Sequence, residues 1–440
     1  MPNPAVARPD APEVSPRRML TWTSGGSLAS AIAAALTAGL LLLNTEVEVY
    51  GDFAVLVAIG FLLSNALRLG SDRMIVGEVR RSSVEQGRAV GQDLLAFSAL
   101  MGLLGLVVIV VLPVEILLGF AQSAPLTQTE TWIFAIIVAA DTFRLTAAEA
   151  LRARLRVVGA TVASNGGRSV LFGLAILLAI AAVDGQLTRM TVLSAAAAAS
   201  LLTGLIGWLT LRQDFRPLHG APQNRVRTHW RGHAAMVGAT VSTTVIAAAD
   251  VWLVGLFISA AAAARYSLAL SAVGLISIVL TASHVGIQPY LAERLGRGDA
   301  SGAQELATKV ARVGTVAAGL ALLAAFLIGE PVAIALGGEE YGGVRWLILV
   351  LGLGVLSALA IGPASAGLTA TARYAVLGRL SMVVAGFALL TEVTSGLITE
   401  SELVIAFWSA ASVTLLHASS WRQLRRLERV RTDALADVGS

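Results

Sequence analysis

The chain has 440 residues, of which 56% are hydrophobic and only 14% are charged, and its mean hydropathy is +0.76. An average soluble domain has about 25% charged residues, so this composition excludes an ordinary soluble protein. The formal net charge is +4, and the absence of cysteine excludes disulfides, thiolate metal sites and cysteine nucleophiles.

Twelve apolar runs follow one another along the chain. Each is close to the length of about 20 residues that crosses a bilayer as a helix. The runs are solidly apolar and do not alternate as barrel strands do, and a helix satisfies its own backbone hydrogen bonds in lipid. The sequence therefore predicts an all-α polytopic membrane protein. The predicted spans are 25–43, 51–69, 94–118, 131–149, 164–183, 190–211, 234–257, 266–286, 308–329, 345–362, 374–397 and 401–420.

The linkers between the spans alternate between arginine-rich and acidic segments. Short loops that are rich in Arg stay on the cytoplasmic side of a membrane. The pattern predicts a multi-pass protein of the cell membrane with both termini in the cytoplasm, and it accounts for the basic charge without nucleic acid. Arg189, Arg265 and Arg345 break the pattern. The acidic linkers are marked by Glu46, Glu48, Asp52, Glu115, Glu130, Glu330, Glu339, Glu340, Glu392, Glu400 and Glu402.

A polar linker divides the chain into two sets of six spans. We predict a disordered cytoplasmic tail at 1–20, an N-terminal six-helix lobe at 21–211, a cytoplasmic linker at 212–233, a C-terminal six-helix lobe at 234–420 and a basic cytoplasmic tail at 421–440. Because six is an even number, both lobes enter the membrane from the same side. Transporters with such parallel halves commonly bind substrate between the halves and alternate access by rocking.

Short motifs over residues 20–420 resemble the multidrug/oligosaccharidyl-lipid/polysaccharide exporter superfamily, and within it the flippases of polysaccharide and lipid-linked oligosaccharide precursors. The resemblance implies two pseudo-symmetric six-helix bundles, with helices 1, 2, 7 and 8 lining a cleft between them. Ala372 departs from the pattern, because relatives often carry glycine there. The motifs are Tyr50-Gly51-Asp52-Phe53-Ala54, Leu69-Gly70-Ser71-Asp72-Arg73, Asp250, Tyr266, Pro289-Tyr290-Leu291, Arg297-Gly298-Asp299, Gly337-Gly338-Glu339-Glu340-Tyr341 and Gly367-Leu368-Thr369-Ala370-Thr371-Ala372-Arg373.

The resemblance implies a flippase that moves a polyprenyl-linked oligosaccharide from the inner to the outer leaflet for cell-surface polysaccharide biosynthesis. Its expected partners are the lipid-linked glycan, membrane lipids, and the glycosyltransferases and polymerase of the same pathway. The alternative is an ion-coupled antiporter of drugs or organic cations on the same fold. Such cations favour an acidic, aromatic cavity, whereas this chain is only 6% aromatic.

No sequence pattern indicates bond-making chemistry. A phosphate loop ending in Gly-Lys-Ser/Thr is absent from the sequence, as are paired catalytic carboxylates and a nucleophile elbow. Gly352 and Gly354 lie inside an apolar span, where small residues serve helix packing. We therefore predict a transporter that is not an enzyme and that has no cofactor, no metal site and no catalytic residue.

Three arginines are predicted to hold the phosphate groups of the substrate. Arg68 follows Asn65 by three residues at the end of the second span, and Arg73 comes shortly after. A guanidinium group binds phosphate through two parallel hydrogen bonds. We predict that Arg68, Arg73 and Arg265 bind phosphate, with snorkelling or a pair with Asp72 as the alternative for the first two.

An ionisable residue within a span needs a partner or a wet cavity, because burying it alone costs roughly 2.5–3.5 kcal/mol. Asp250 lies in the seventh span, and we predict that it is a proton or cation coupling site or pairs with an arginine across the cavity. A hydrogen bond to another helix is the structural alternative. Asn65, His284 and Gln288 are further polar cavity candidates, although His284 can equally be a packing residue.

Three other charged residues lie inside predicted spans of the N-terminal half. Asp141 and Arg144 are three residues apart, which predicts a local ion pair on one helix. Arg168 lies early in the fifth span and is either a cavity residue or a topology anchor.

Overall fold

All regular structure in the described part of the chain is helical. The computed structural model describes residues 16–71, 75, 84–111, 125–154, 156–183, 185–212, 230–296, 299–362, 368 and 374–439. The N-terminal half comprises α1 (Pro16–Asn44), α2 (Val47–Leu67), α3 (Val84–Val111), α4 (Gln128–Ala153), α5 (Val157–Ala163), α6 (Asn165–Ala182) and α7 (Arg189–Leu211). The C-terminal half comprises α8 (Trp230–Phe257), α9 (Ala260–Gly296), α10 (Ala300–Gly337), a 3-10 turn (Glu339–Tyr341), α11 (Val344–Ile361), α12 (Tyr374–Thr399) and α13 (Glu402–Gly439).

The helices have the length and the surface of membrane spans. Within the described ranges, 11 helices are long and apolar enough to cross a membrane, and Leu28–Asn44 of α1 is a shorter apolar segment. Large apolar side chains point away from the protein, since Leu178, Val383 and Ile398 are 71%, 72% and 74% exposed. Apolar surface of this extent marks contact with lipid. The prediction of an all-α polytopic membrane protein is confirmed.

Several helices extend beyond the predicted spans. Helix α1 begins at Pro16, inside the predicted tail, and α13 continues to Gly439. Helix α9 runs past Pro289 to Gly296. Hydropathy marks only the part of a helix that lies in lipid, so polar extensions are not visible to it. The division into two lobes around 212–233 stays a prediction, because residues 213–229 lie outside the described ranges.

Local sequence explains where α4 begins. Thr127 precedes the helix in an extended conformation, and its hydroxyl accepts a hydrogen bond from the backbone N–H of Glu130 at 3.3 Å. The Glu130 carboxylate accepts in return from the backbone N–H of Thr127 at 2.8 Å. This reciprocal capping box satisfies two donors that an uncapped helix start would leave unpaired.

The helices of each half pack mainly against one another. In the N-terminal half, α4 packs on α3 and α7, and α6 packs on α1 and α7. In the C-terminal half, α12 packs on α8 and α13, and α11 packs on α10 and α13. Helices α1 and α2 contact α8, α9 and α10 of the other half. We call this contact the seam, and it includes the four helices expected to line the cleft.

The carboxylates Asp52, Glu130, Glu330 and Glu402 define one end of the bundle, which we call the acidic end. Asp52 and Glu130 are joined there by Arg189, which begins α7. Helices α2, α4, α7 and α13 all begin at this end. The opposite end, where α2 finishes at Leu67, is called the basic end.

The seam is closed at the acidic end by a close approach of two backbones. A Cβ atom added at Gly51 of α2 would lie 1.8 Å from the carbonyl oxygen of Ala260, the first residue of α9. Only glycine permits so close an approach. One residue earlier, the Tyr50 hydroxyl is within hydrogen-bonding reach of Ser267 and Ser271. These contacts between the halves involve no charged side chain.

Candidate substrate and ion sites

Asp250 of α8 is buried and joins three helices of the C-terminal half. Its side chain accepts hydrogen bonds from the hydroxyls of Tyr266 in α9 and Ser409 in α13, both at 2.9 Å to Oδ2. The backbone N–H of Val251 donates to Oδ1 at 2.9 Å. In the described ranges no lysine or arginine pairs with this carboxyl group. The hydrogen bonds to other helices, considered as the structural alternative, are therefore present.

A second buried carboxyl group lies near Asp250. Glu392 is 2% exposed inside α12, within electrostatic range of Asp250 and Tyr266. The linker pattern assigns Glu392 to an acidic loop, and that assignment is wrong. Within the part of the chain that the structure describes, neither carboxyl group has a cationic partner. Two such groups in one buried place attract a proton or a cation, since like charges oppose each other's ionisation.

Arg68 and Asn65 contact each other at the basic end. Arg68 forms the C-cap of α2 and is 5% exposed. Its guanidinium donates to the side-chain oxygen of Asn65, whose amide donates to the carbonyl of Phe61 at 2.7 Å. The two residues share the helix face that their spacing predicts. The buried guanidinium therefore has a fixed orientation at the end of α2.

Arg265 lies at the acidic end and is held by a carboxylate. Its Nε and Nη2 atoms donate to the two oxygens of Glu402 at 2.9 and 3.2 Å, and Nη1 donates to the carbonyl of Glu340 at 3.3 Å. In this state the guanidinium offers its paired donors to Glu402. A phosphate group can use the same donors only where it replaces that carboxylate.

The predicted phosphate-binding arginines are not gathered at one point. Helix α2 has 21 residues, about 31 Å at 1.5 Å per residue. Arg68 lies at its basic end, whereas Arg265 lies at the acidic end. Arg73 is outside the described residues, and His284 and Gln288 lie within α9 at positions whose side chains are not described.

The N-terminal half has a buried cluster whose net charge is positive, in contrast to the two buried carboxyl groups of the C-terminal half. Arg144 Nε lies 2.6 Å from Asp141 Oδ1 on α4, as the local spacing predicts. Arg168 of α6 approaches the same carboxylate at 3.5 Å and donates to Ser200 of α7 at 2.8 Å. Arg168 is therefore an internal residue of the half rather than a surface anchor. Two guanidinium groups share one carboxylate, so the cluster carries an excess positive charge.

The sequence gives only part of these sites. Asp250 is visible because it interrupts an apolar run, and Glu392 offers the same signal seven residues before the end of α12. The hydroxyl partners Tyr266 and Ser409 are separated from Asp250 by 16 and 159 residues. Spacing on one helix cannot reveal contacts of that range.

These features define a class of protein. It is a polytopic helical membrane protein with two internally packed halves, a seam between them and buried charges in each half. Solved structures share its fold. An inward-facing multidrug resistance transporter of the MATE family is 12% identical with a TM-score of 0.66, over 93% of this chain and 96% of that chain. The lipid II flippase MurJ in an inward closed conformation is 10% identical with a TM-score of 0.68, over 91% and 87%. A transporter of the MOP superfamily from Pyrococcus furiosus Vc1, described as having a reversed binding-pocket polarity, is 13% identical with a TM-score of 0.62, over 96% and 97%.

A family model completes the identification. The chain belongs to the polysaccharide biosynthesis protein family, whose model matches residues 18–294. This places it among the exporters of the superfamily that its motifs resemble, so that prediction is confirmed. No curated protein sequence matches the chain.

Proposed function

We propose that this membrane transporter is a flippase of a polyprenyl-linked oligosaccharide, moving it from the inner to the outer leaflet for cell-surface polysaccharide biosynthesis. The protein lies in the cell membrane with both termini in the cytoplasm, so the basic end faces the cytoplasm. Two six-helix halves alternate access to the substrate between them. Glycosyltransferases and the polymerase of the same pathway work beside it.

The observation that carries the proposal is the distribution of charge contacts. The ion pairs of Arg189, Arg265 and Arg345 with their carboxylates each join helices of one half. The seam at Gly51 is instead made of uncharged contacts. Each half is therefore braced internally, and opening the seam there breaks none of these ion pairs. That arrangement suits rocking of one rigid half against the other.

The proposed phosphate contacts lie at the two ends of the path. Arg68 and Arg73 receive the phosphate groups at the cytoplasmic entrance. Arg265 meets them at the acidic end, where it exchanges Glu402 for the phosphate. A headgroup that moves between the ends contacts these arginines in succession, because the length of α2 separates them.

The coupling site that we propose is Asp250, together with the neighbouring Glu392. Two buried carboxyl groups bind a proton or a cation when the site is open to one side of the membrane. The bound charge offsets their mutual repulsion. Asp250 also connects α8 to α9 and α13, so its charge state acts on two helices of the seam, α8 and α9.

The test is a leaflet-specific assay in proteoliposomes that contain the purified protein and a fluorescent polyprenyl-pyrophosphate oligosaccharide. Wild-type protein should move the probe between leaflets faster than protein-free liposomes. A strain that lacks the gene should accumulate lipid-linked sugar on the cytoplasmic side. Equal probe movement with and without protein, combined with normal glycan export in the deletion strain, would contradict the function.

A drug or organic-cation antiporter is the second candidate, favoured by the paired carboxyl groups Asp250 and Glu392. Uptake of tetraphenylphosphonium against a proton or sodium gradient measures it in the same proteoliposomes. Gradient-driven uptake without movement of the glycolipid probe would support the antiporter. The reverse result supports the flippase.

A further inference from the structure

One buried cluster of the N-terminal half contains two arginines and a single carboxylate. Arg144 and Arg168 lie 2.6 and 3.5 Å from Asp141, and their side chains are 1% and 16% exposed. Within the described ranges, no second carboxylate pairs with either arginine. The cluster therefore has a charge of +1 inside the span region. An uncompensated charge in a low-dielectric interior is strongly unfavourable.

Arg144 also has hydrogen-bonding capacity that the described protein atoms do not use. Its Nε donates to Asp141, and its Nη2 donates to the side-chain oxygen of Asn165 at 3.0 Å. Its Nη1 is buried and has no hydrogen-bond partner among the described residues. A guanidinium group has five N–H donors and no acceptor, so a partner of Nη1 must bring an acceptor.

A helix also begins beside this cluster, after a break in the chain. Helix α5 ends at Ala163, the chain is extended at Ser164, and α6 starts again at Asn165. A Cβ at Gly167 would lie 1.9 Å from the carbonyl oxygen of Val162, so glycine permits the tight break. The first turn of a helix carries a partial positive charge. Because Asn165 accepts from Arg144, this helix start lies beside the unused donor.

We propose that this cluster is an anion site, in which one negative charge is held between Arg144 Nη1, Arg168 and the start of α6. A monoanion brings the cluster to neutrality and supplies the acceptor that Arg144 lacks. The exposed side chain of Asn165 marks the open side of the site. The charge comes from a small anion such as chloride or from the phosphate of a membrane lipid. The site is distinct from Arg68, Arg73 and Arg265 and does not depend on the proposed substrate.

The test uses the full-length protein in nanodiscs of zwitterionic lipid, with chloride replacing gluconate at constant ionic strength. Wild-type protein should gain a saturable rise in Tm of a few degrees and bind one radioactive chloride per chain. The test variant is Arg168→Gln, which leaves a neutral Arg144–Asp141 pair and an amide that still reaches Ser200. This variant should lose both the rise in Tm and the bound chloride. Asp141→Asn raises the charge to +2 and should tighten chloride binding.

A second arm identifies the source of the charge. Wild-type protein and Arg168→Gln are compared in gluconate, in nanodiscs with and without phosphatidylglycerol. A rise in Tm that requires the anionic lipid, and that Arg168→Gln loses, assigns the site to lipid phosphate. If neither chloride nor the anionic lipid distinguishes wild type from Arg168→Gln, the proposal is overturned. If Arg168→Gln fails to fold, the chloride and phosphatidylglycerol titrations of the wild-type protein decide the result.

Discussion

Arg189 of α7 lies 2.8 Å from Asp52 of α2, although 137 residues separate them in the chain. The same guanidinium donates to Glu130 of α4 at 2.9 Å and to the carbonyl of Pro125 at 3.0 Å. Asp52 and Glu130 are only 2% and 5% exposed. One arginine therefore forms ion pairs with two buried carboxylates and joins three helix starts at the acidic end.

The other two arginines that break the linker pattern are also paired. Arg345 lies 2.7 Å from Glu330, and Arg265 lies 2.9 Å from Glu402. All three exceptions thus have fixed partners within one half. Their position is explained by packing rather than by orientation, which leaves the basic linkers as the topological signal.

We predict that Arg189→Gln strongly destabilises the protein, because it removes the cation that the buried carboxylates Asp52 and Glu130 share. Removing one partner of a buried ion pair costs about 3–5 kcal/mol. The matched control is Arg152→Gln, because Arg152 and its partner Glu149 are 46% and 24% exposed and the loss of that pair should cost at most about 1 kcal/mol. Denaturation of both variants in nanodiscs measures the difference. Equal losses of stability would show that Arg189 is not a structural clamp.

We predict that Gly51→Ala holds the seam open at the acidic end. The added methyl group would lie 1.8 Å from the Ala260 carbonyl, so α2 and α9 must separate. The matched control is Gly274→Ala in α9, where a Cβ meets nothing within 4 Å. Because the chain has no cysteine, Ser267→Cys beside Tyr50 serves as a single reporter.

Labelling with a water-soluble maleimide reads out the opening of the seam. Ser267→Cys should react slowly in the wild-type and Gly274→Ala backgrounds and faster in the Gly51→Ala background. Transport should fall in Gly51→Ala alone, because a transporter that cannot close one side cannot complete the cycle. Unchanged labelling together with normal transport would mean that the seam tolerates the extra methyl group.

We predict that Asp250→Asn changes how transport depends on pH or on the driving ion. The substitution keeps the shape of the side chain and removes its charge, so it abolishes charge coupling with Glu392. Coupling free energies of usual size correspond to roughly 5- to 150-fold changes in ion affinity. The matched control is Ser409→Ala, which removes one hydrogen bond at 2.9 Å and leaves the carboxyl group. Ion or pH titration of transport measures both variants, and identical curves for wild type and Asp250→Asn would remove Asp250 from the coupling role.

The elements that the sequence predicts well are those that local hydropathy determines. The span predicted at 190–211 corresponds to α7 (Arg189–Leu211), because its ends coincide with polar residues at the membrane surface. The predicted span 164–183 begins where α6 does, but the short helix α5 before the break at Ser164 is not predicted, since seven residues are too few for a span. Backbone geometry there depends on the tight contact of Gly167 with Val162.

In the candidate sites, too, contacts within one helix can be predicted from the sequence and contacts between distant helices cannot. Asn65 with Arg68, and Asp141 with Arg144, are pairs on one helix, and helical periodicity is enough to predict them. Arg265 differs, because its partner is Glu402 on a helix 137 residues away. A charge without a partner nearby in the sequence is then paired in the fold, and only tertiary packing decides this.

The pair of Arg265 and Glu402 allows a phosphate-binding role to be separated from a structural one. If Arg265 binds phosphate, Arg265→Gln lowers transport, whereas Glu402→Gln removes the competing carboxylate and keeps or raises transport. If the pair only braces the C-terminal half, both substitutions lower Tm and transport alike. The charge-reversed double variant Arg265→Glu with Glu402→Arg should then restore both quantities. Glycolipid movement and Tm, measured for all three variants in the same proteoliposomes, distinguish the roles, because a restored pair with reversed charge cannot present Arg265 to a phosphate.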